Sequence, residues 1–260
     1  MSKKRISSKM FRTTGLIMGL FIVSGLFWGQ AAAQAGELNP ARILELADQA
    51  RGNVKGVKWR IDLTSQERER VQKQSLCIEA KDFNCLATTL APPKLKGRKL
   101  LMLDRNMWFI KPGLRKPVPI SSRQKLMGGA SNGDLASTNY AGDYVVKNIT
   151  REKLDGDPCW VIDLKGKTKK VTYDRIRYWV SESRMVGVKA QFFTVSGKLL
   201  KTAVFEYKNR INTGEGEHAF ISRMTIKDQL LKTNTTTMDY SRVEIKEIPA
   251  STFNLNLLVR

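Results

Sequence analysis

The sequence predicts a mainly β, α+β domain built on one large antiparallel sheet. About ten runs of strand character follow one another between residues 57 and 245, with glycine, asparagine and proline between them. Only one segment, starting near residue 40, carries a strong helical pattern. No helix lies between successive strands to make the crossovers that parallel pairing requires.

In chain order, residues 1–35 stand apart from this domain. Lys3, Lys4, Arg5, Lys9 and Arg12 precede an apolar run from Gly15 to Gly29, and small residues at Ala33 and Ala35 follow. Basic, apolar and A-x-A segments in that order describe a secretory signal peptide cut after Ala35. The apolar run reaches only about 22 Å as a helix, short of the roughly 30 Å hydrocarbon core. With no cysteine at the cleavage site to take a lipid, the expected product is a periplasmic protein, exported across the inner membrane and not lipid-anchored. Residues 36–260 form the expected single domain.

The whole chain carries 45 Lys and Arg against 24 Asp and Glu. The leader removes five of the basic residues and no acidic one, so the remaining domain stays strongly cationic and suits an anionic partner. For an exported protein that partner is an anionic membrane surface or acidic polymer rather than nucleic acid. Scattered lysines that only keep the chain soluble fit the same charge.

Asn39, Pro40 and Gly52 bracket the helix as N-cap, first helical residue and terminator, and Ile43, Leu44, Ala47 and Ala50 share its apolar face. In the first strands Val57, Trp59, Ile61 and Leu63 alternate with polar residues, and Leu76, Ile78 and Ala80 continue the pattern. Further runs are expected over 99–104, 107–112, 158–166, 173–181, 186–195, 198–208, 220–229 and 235–245. Residues 100–103 and 107–110 do not alternate: both faces of these strands are apolar, and the second face must meet a helix, a loop or a ligand.

Of the cysteines, Cys77 and Cys85 are spaced so that a hairpin with its tip near residues 81–83 could bring them together, and an oxidising compartment permits a bridge. Cys159, beside Trp160 in a strand, reads as a buried small hydrophobe. A single histidine, His218, and this cysteine spacing give no metal site. No nucleophile elbow, zinc-protease motif or phosphate loop occurs, and most carboxylates of interest sit at turns, so neither an enzyme nor a bound cofactor is expected.

Met107, Trp108, Phe109 and Ile110 fit two roles, core beneath the helix or contact with an apolar ligand. Lys111, Arg115, Lys116, Arg123 and Lys125 follow in a proline-stiffened loop that suits either a phosphate-facing cavity mouth or a solvated rim.

Five stretches, in their order and spacing, resemble the family of outer-membrane lipoprotein-sorting proteins, the LolA/LolB-like carriers and acceptors. They are "LLMLDRNMWFIKPGLRKPVPIS", "LMGGASNGDLASTNYAGDY", "YWVSESRMVGVKAQFFTVSGKLLKTAVFEY", "SRMTIKD" and "IPASTFNLNLL", within Leu95 to Leu258. The resemblance implies a LolA-like half-barrel, a strongly curved antiparallel sheet whose concave face is covered by helices and loops. It implies a non-enzymatic, monomeric carrier of lipid or lipoprotein acyl chains toward the outer membrane, linked to an inner-membrane exporter of the resistance, nodulation and division type. An envelope-stress sensor that binds misplaced lipid and signals to a membrane regulator is the alternative. On this resemblance Trp59, Ile61, Leu101, Leu103, Trp108 and Ile110 line the acyl cavity. Leu135, Tyr140 and Tyr144 cover it from a segment hinged at Gly128 and Gly129, and Lys111, Arg115 and Lys116 meet anionic head groups. A 16-carbon chain at roughly 0.8 kcal/mol per buried CH₂ carries on the order of 12 kcal/mol of burial that such a carrier must replace.

Overall fold

The computed structural model describes residues 39–136, 138–214, 216–229 and 234–259; the expected leader lies outside them. All the elements below fall in one compact unit, Leu38–Arg260. In chain order they are α1 (Pro40–Gln49), β1 (Val57–Glu67), β2 (Arg70–Lys81), β3 (Asn84–Ala91), β4 (Lys99–Leu103), β5 (Asn106–Ile110) and β6 (Val118–Ile120). There follow β7 (Lys125–Met127), β8 (Ala130–Ser131), the short helix α2 (Tyr140–Asp143), β9 (Tyr144–Leu154), β10 (Asp157–Gly166), β11 (Arg175–Ser181) and β12 (Gly187–Phe193). The chain closes with β13 (Leu199–Glu206), β14 (Asn209–Asn212), β15 (Glu217–Phe220), β16 (Arg223–Asp228), β17 (Thr235–Ile245) and α3 (Leu255–Leu258).

Thirteen strands make one sheet in the order β6-β5-β4-β3-β2-β1-β17-β16-β13-β12-β11-β10-β9. Its strand pairs are antiparallel, between sequence neighbours such as β1 and β2 and between distant strands such as β1 and β17. Mid-sheet, β1 pairs with β17, Ile61 opposite Tyr240 and Leu63 opposite Met238. Two ribbons lie outside this sheet: β14–β15, inserted between β13 and β16, and β7–β8, inserted between β6 and β9.

The helix forms as its sequence dictates. Asn39 accepts the Ala41 N–H at 3.0 Å, and Gly52 takes φ +99° beyond the last turn. Ile43, Leu44 and Ala47 are buried in a core shared with Trp59, Ile61, Ile78, Tyr178, Phe192 and Phe205 of the sheet. Burial of Ile43 and Leu44 is worth about 1.5–3 kcal/mol each.

The second apolar face of β4 and β5 meets the C-terminus of the chain. Leu86, Leu101 and Ile110 pack with Ile248 and Phe253, and Leu103, Trp108, Leu255 and Leu258 close around them. Cys159 is buried among Ala50, Val161, Trp179 and Val188, as a small hydrophobe.

Where the cysteines are concerned the register corrects the expected bridge. The hairpin tip does fall at Asp82–Phe83, but Cys85 lies opposite Ala80, and Cys77 lies opposite Thr88. Cys77 is three residues from Ala80 and points to the other face of the sheet, so the Cys77–Cys85 disulfide is not made.

Candidate functional site

The same alternation divides the expected cavity residues between two faces. Trp59 and Ile61 belong to the large core beneath α1, where Trp59 meets Phe220 edge-on at 5.8 Å. Leu101 pairs with Leu86 on one side and Trp108 on the other, and these, with Leu103 and Ile110, point to the opposite face, under the C-terminal segment. Trp59, Ile61, Leu101, Leu103, Trp108 and Ile110 therefore do not line one cavity. Trp108 also borders a shallow depression of about 390 Å³ along β5–β6, with Met107, Ile120, Arg105 and Lys170.

Leu135, Tyr140 and Tyr144 do join Trp59 and Ile61 in the large core. Tyr140 meets both Tyr144 and Tyr178 edge-on, at 5.3 and 5.1 Å. The segment that carries them is anchored, not hinged, at its glycines. Gly128 has φ +57°, and a Cβ there would come within 2.2 Å of the Ser65 and Thr236 hydroxyls; only glycine lets the ribbon lie this close to β1 and β17. Gly129 N–H donates to Thr236 Oγ1 at 2.8 Å, and its carbonyl accepts from Lys201 Nζ at 2.8 Å.

Lys201 is the centre of a buried polar network absent from the expected site. Its ammonium contacts Asp134 Oδ2 at 2.7 Å, with the two side chains 6% and 5% exposed. Asp134 also accepts the Tyr173 hydroxyl at 2.8 Å and the Ser131 N–H at 2.7 Å. Burial, and then the Asp134 carboxylate, push the Tyr173 phenol well above its ordinary pKa, so it remains a donor.

Two further buried charged residues, Asp48 in α1 and Arg51 just past it, lie outside the expected site. Asp48 Oδ2 accepts the Ala141 N–H at 2.9 Å, tying α1 to α2, while Oδ1 has no hydrogen-bond partner. Burial raises its pKa to about 7, against the lowering pull of the Ala141 and Tyr140 N–H groups and of Arg51. The Arg51 guanidinium lies 4.3 Å from the Phe205 ring centre and 5.5 Å from that of Tyr140. Both residues continue the helical stripe of Leu44 and Ala47, one and two turns on; that spacing was the available signal.

Lys111, Arg115 and Lys116 are exposed on the β5–β6 connection. Beyond β6, Arg123 of the β6–β7 connection forms a two-pronged bond to Asp174 at 2.8 and 2.9 Å, and Lys125 at the start of β7 pairs with Glu67 at 2.9 Å. That part of the basic loop is clamped to the domain.

An open groove of about 360 Å³ lies elsewhere, at the C-terminal end of α1. Leu46, Ala50, Val54, Met185, Val186 and Ile211 supply its apolar wall, from α1, the β11–β12 turn and the β14–β15 ribbon. Lys55, Asp82, Arg184 and His218 stand around it, and Lys111, Arg115 and Lys116 do not. The volume is in the range of small-molecule sites. Among the described residues no cluster of His, Cys, Asp and Glu could hold a metal ion, and no helix is long and apolar enough to cross a membrane.

A family model described as "Uncharacterized protein" matches residues 81–260. No curated protein matches the chain. Among solved structures, a LolA superfamily protein from Nitrosomonas europaea is 28% identical with a TM-score of 0.74, over 82% of this chain and 96% of its own. An outer membrane lipoprotein-sorting protein domain from Vibrio parahaemolyticus, 18% identical, has a TM-score of 0.70 over 84% and 98%. A DUF1329 family protein from Desulfovibrio piger, also 18% identical, has a TM-score of 0.69 over 84% and 97%. The chain therefore belongs to the family that this model describes, and it shares its fold with the LolA superfamily protein.

Proposed function

We propose that this protein is a non-enzymatic periplasmic carrier that shields an acyl chain of a lipid or lipoprotein from water on its way to the outer membrane. The observation that carries the reading is the groove at the end of α1, whose apolar wall is built from three separate parts of the chain on a fold shared with lipoprotein-sorting proteins. Its 360 Å³ suits one chain and leaves it open to solvent at one side, which favours transfer over permanent storage. Residues of β3, β1 and β11 meet in one core with α1 and the 125–144 segment, which supports a sheet curled as a half-barrel with that segment as its cover. The cationic surface favours delivery at an anionic membrane, where exposed Lys111, Arg115 and Lys116 would add attraction.

Displacement of a fluorescent fatty acid tests the reading. The parent protein should bind the probe, and Leu46→Glu, which places a charge in the apolar wall from a half-buried position on α1, should weaken binding at least tenfold while circular dichroism stays unchanged. Met185→Glu, nearer the open side, should do the same. A parent protein that binds no acyl probe, or folded variants that bind it unchanged, would refute the assignment.

A further inference from the structure

A second, smaller opening has a different character. A chamber of about 70 Å³ lies between the cover segment and the residues around Tyr173, bordered by Arg51, Thr138, Asn139, Lys170 and Tyr173. Several water-sized groups fit such a volume. Arg51 is 8% exposed, yet its Nε and Nη1 make no hydrogen bond among the described residues. Asn139 is 9% exposed, and its Nδ2 also has no acceptor there, while its Oδ1 accepts from Gly142 N–H at 3.2 Å. Buried donors without acceptors cost about 1–3 kcal/mol each, and more when charged.

The carboxylates around the chamber are committed elsewhere. Asp134 is held by Lys201, Tyr173 and Ser131, and Asp143 is paired with Arg105. Asp48 lies near Arg51, but its hydrogen bond goes to Ala141, and burial opposes its ionisation. Among the described residues the Lys170 ammonium bonds to the neutral Asn106 amide oxygen at 3.0 Å and to no carboxylate, adding an unpaired positive charge at the border. Arg51, whose polar neighbours are the tyrosine hydroxyls of Tyr140 and Tyr178, thus borders the chamber without a carboxylate bonded to it, and the charge around the chamber is more positive than negative.

We propose that this chamber binds a small anionic oxygen group, a carboxylate or phosphate, with the Arg51 guanidinium as its charged anchor and the Asn139 amide as a second donor. A planar guanidinium backed by the Phe205 and Tyr140 rings presents paired N–H groups to two oxygens of such a group. The inference deepens the lipid-binding reading in one respect, that the anion is the head of an amphiphile; a free phosphate has the same chemistry.

Calorimetry on the full domain with three ligands separates these cases. Palmitate and hexadecanol share a 16-carbon tail and differ in the head, and inorganic phosphate has no tail. The wild type should bind palmitate at least tenfold more tightly than hexadecanol, and Arg51→Met should bring the ratio close to one, with Asn139→Ala in between. Saturable phosphate binding in the wild type would identify the free anion as a ligand in its own right. Equal affinity for palmitate and hexadecanol together with no phosphate binding overturns the anion site and leaves the acyl groove standing. Phosphate binding with neither amphiphile bound overturns the lipid reading and leaves the anion site. The wild-type measurements decide even if Arg51→Met does not fold, and a discrimination that survives in folded Arg51→Met removes Arg51 from the role.

Discussion

Lys201 of β13 and Asp134, just after β8, meet at 2.7 Å with both side chains almost wholly out of water. The pair joins a segment without long secondary structure to the middle of the sheet, and Tyr173 and Ser131 complete the hydrogen bonding of the carboxylate. Such a pair acts less as a source of net stability than as a condition on how the segment is seated.

Removing one member should therefore be much worse than removing both. Asp134→Ala leaves a buried ammonium with no counter-charge and should cost about 3–5 kcal/mol in urea unfolding. Lys201→Met combined with Asp134→Leu should recover much of that loss. If the double variant is as unstable as the sum of the singles, the two residues do not act as a pair.

Asp48 sets a pH dependence of definite sign. Its folded pKa of about 7 lies above the ordinary 3.8, so the folded state holds a proton that the unfolded chain has released. Its contribution to stability is complete below about pH 4 and declines as pH rises toward 7, levelling off above that value. Asp48→Asn mimics the protonated acid and should flatten that decline. Equilibrium unfolding of parent and variant between pH 4 and 8 measures it; parallel curves would mean that Asp48 does not titrate in this window.

Under the β4–β5 face, Phe253→Ala should cost about 3–5 kcal/mol, because the ring is buried against Leu86, Leu101 and Ile110. Acyl-probe binding of the folded variant should stay within twofold of the parent, since Phe253 does not line the groove. A large loss of probe binding with little loss of stability would place the ligand under the C-terminal segment instead.

All three thiols should react with an aromatic disulfide reagent in denaturant without prior reduction. In the native protein only half-buried Cys77 should react, and slowly, because burial raises its pKa above the usual thiol value. Protein from an oxidising compartment that yields one thiol would restore the bridge that the β2–β3 register excludes.

Strands with one wet and one dry face were legible in the sequence, because their alternation is the consequence of that burial. Three members of the main sheet were not. β9 is exposed on both sides along most of its length, so Val145 and Ile149 make no buried stripe. Cys85, Leu86 and Ala87 of β3 are buried consecutively, which removes alternation from the other direction. β6 is only three residues long.

The site divides in the same way. Leu135, Tyr140 and Tyr144 were recognisable as apolar groups in a loop that needed a floor. The opposite faces of Trp59 and Trp108 follow from register across five strands, which no local pattern encodes. Lys201 left a trace: it is in phase with Ala203 and Phe205, where a charge can stand only with a partner. That partner lies 67 residues away in sequence.

The pairing of β1 with β17 joins the first and the last long strands of the domain at the centre of the sheet. A chain made or translocated from its N-terminus exposes Trp59, Ile61 and Leu63 long before Thr235–Ile245 arrives to cover their neighbouring backbone. High contact order of this kind slows folding. The N-terminal hairpin, with its unpaired β1 edge, must then be kept from other chains until synthesis is nearly complete, and truncation before residue 235 should leave an aggregating fragment rather than a smaller folded domain.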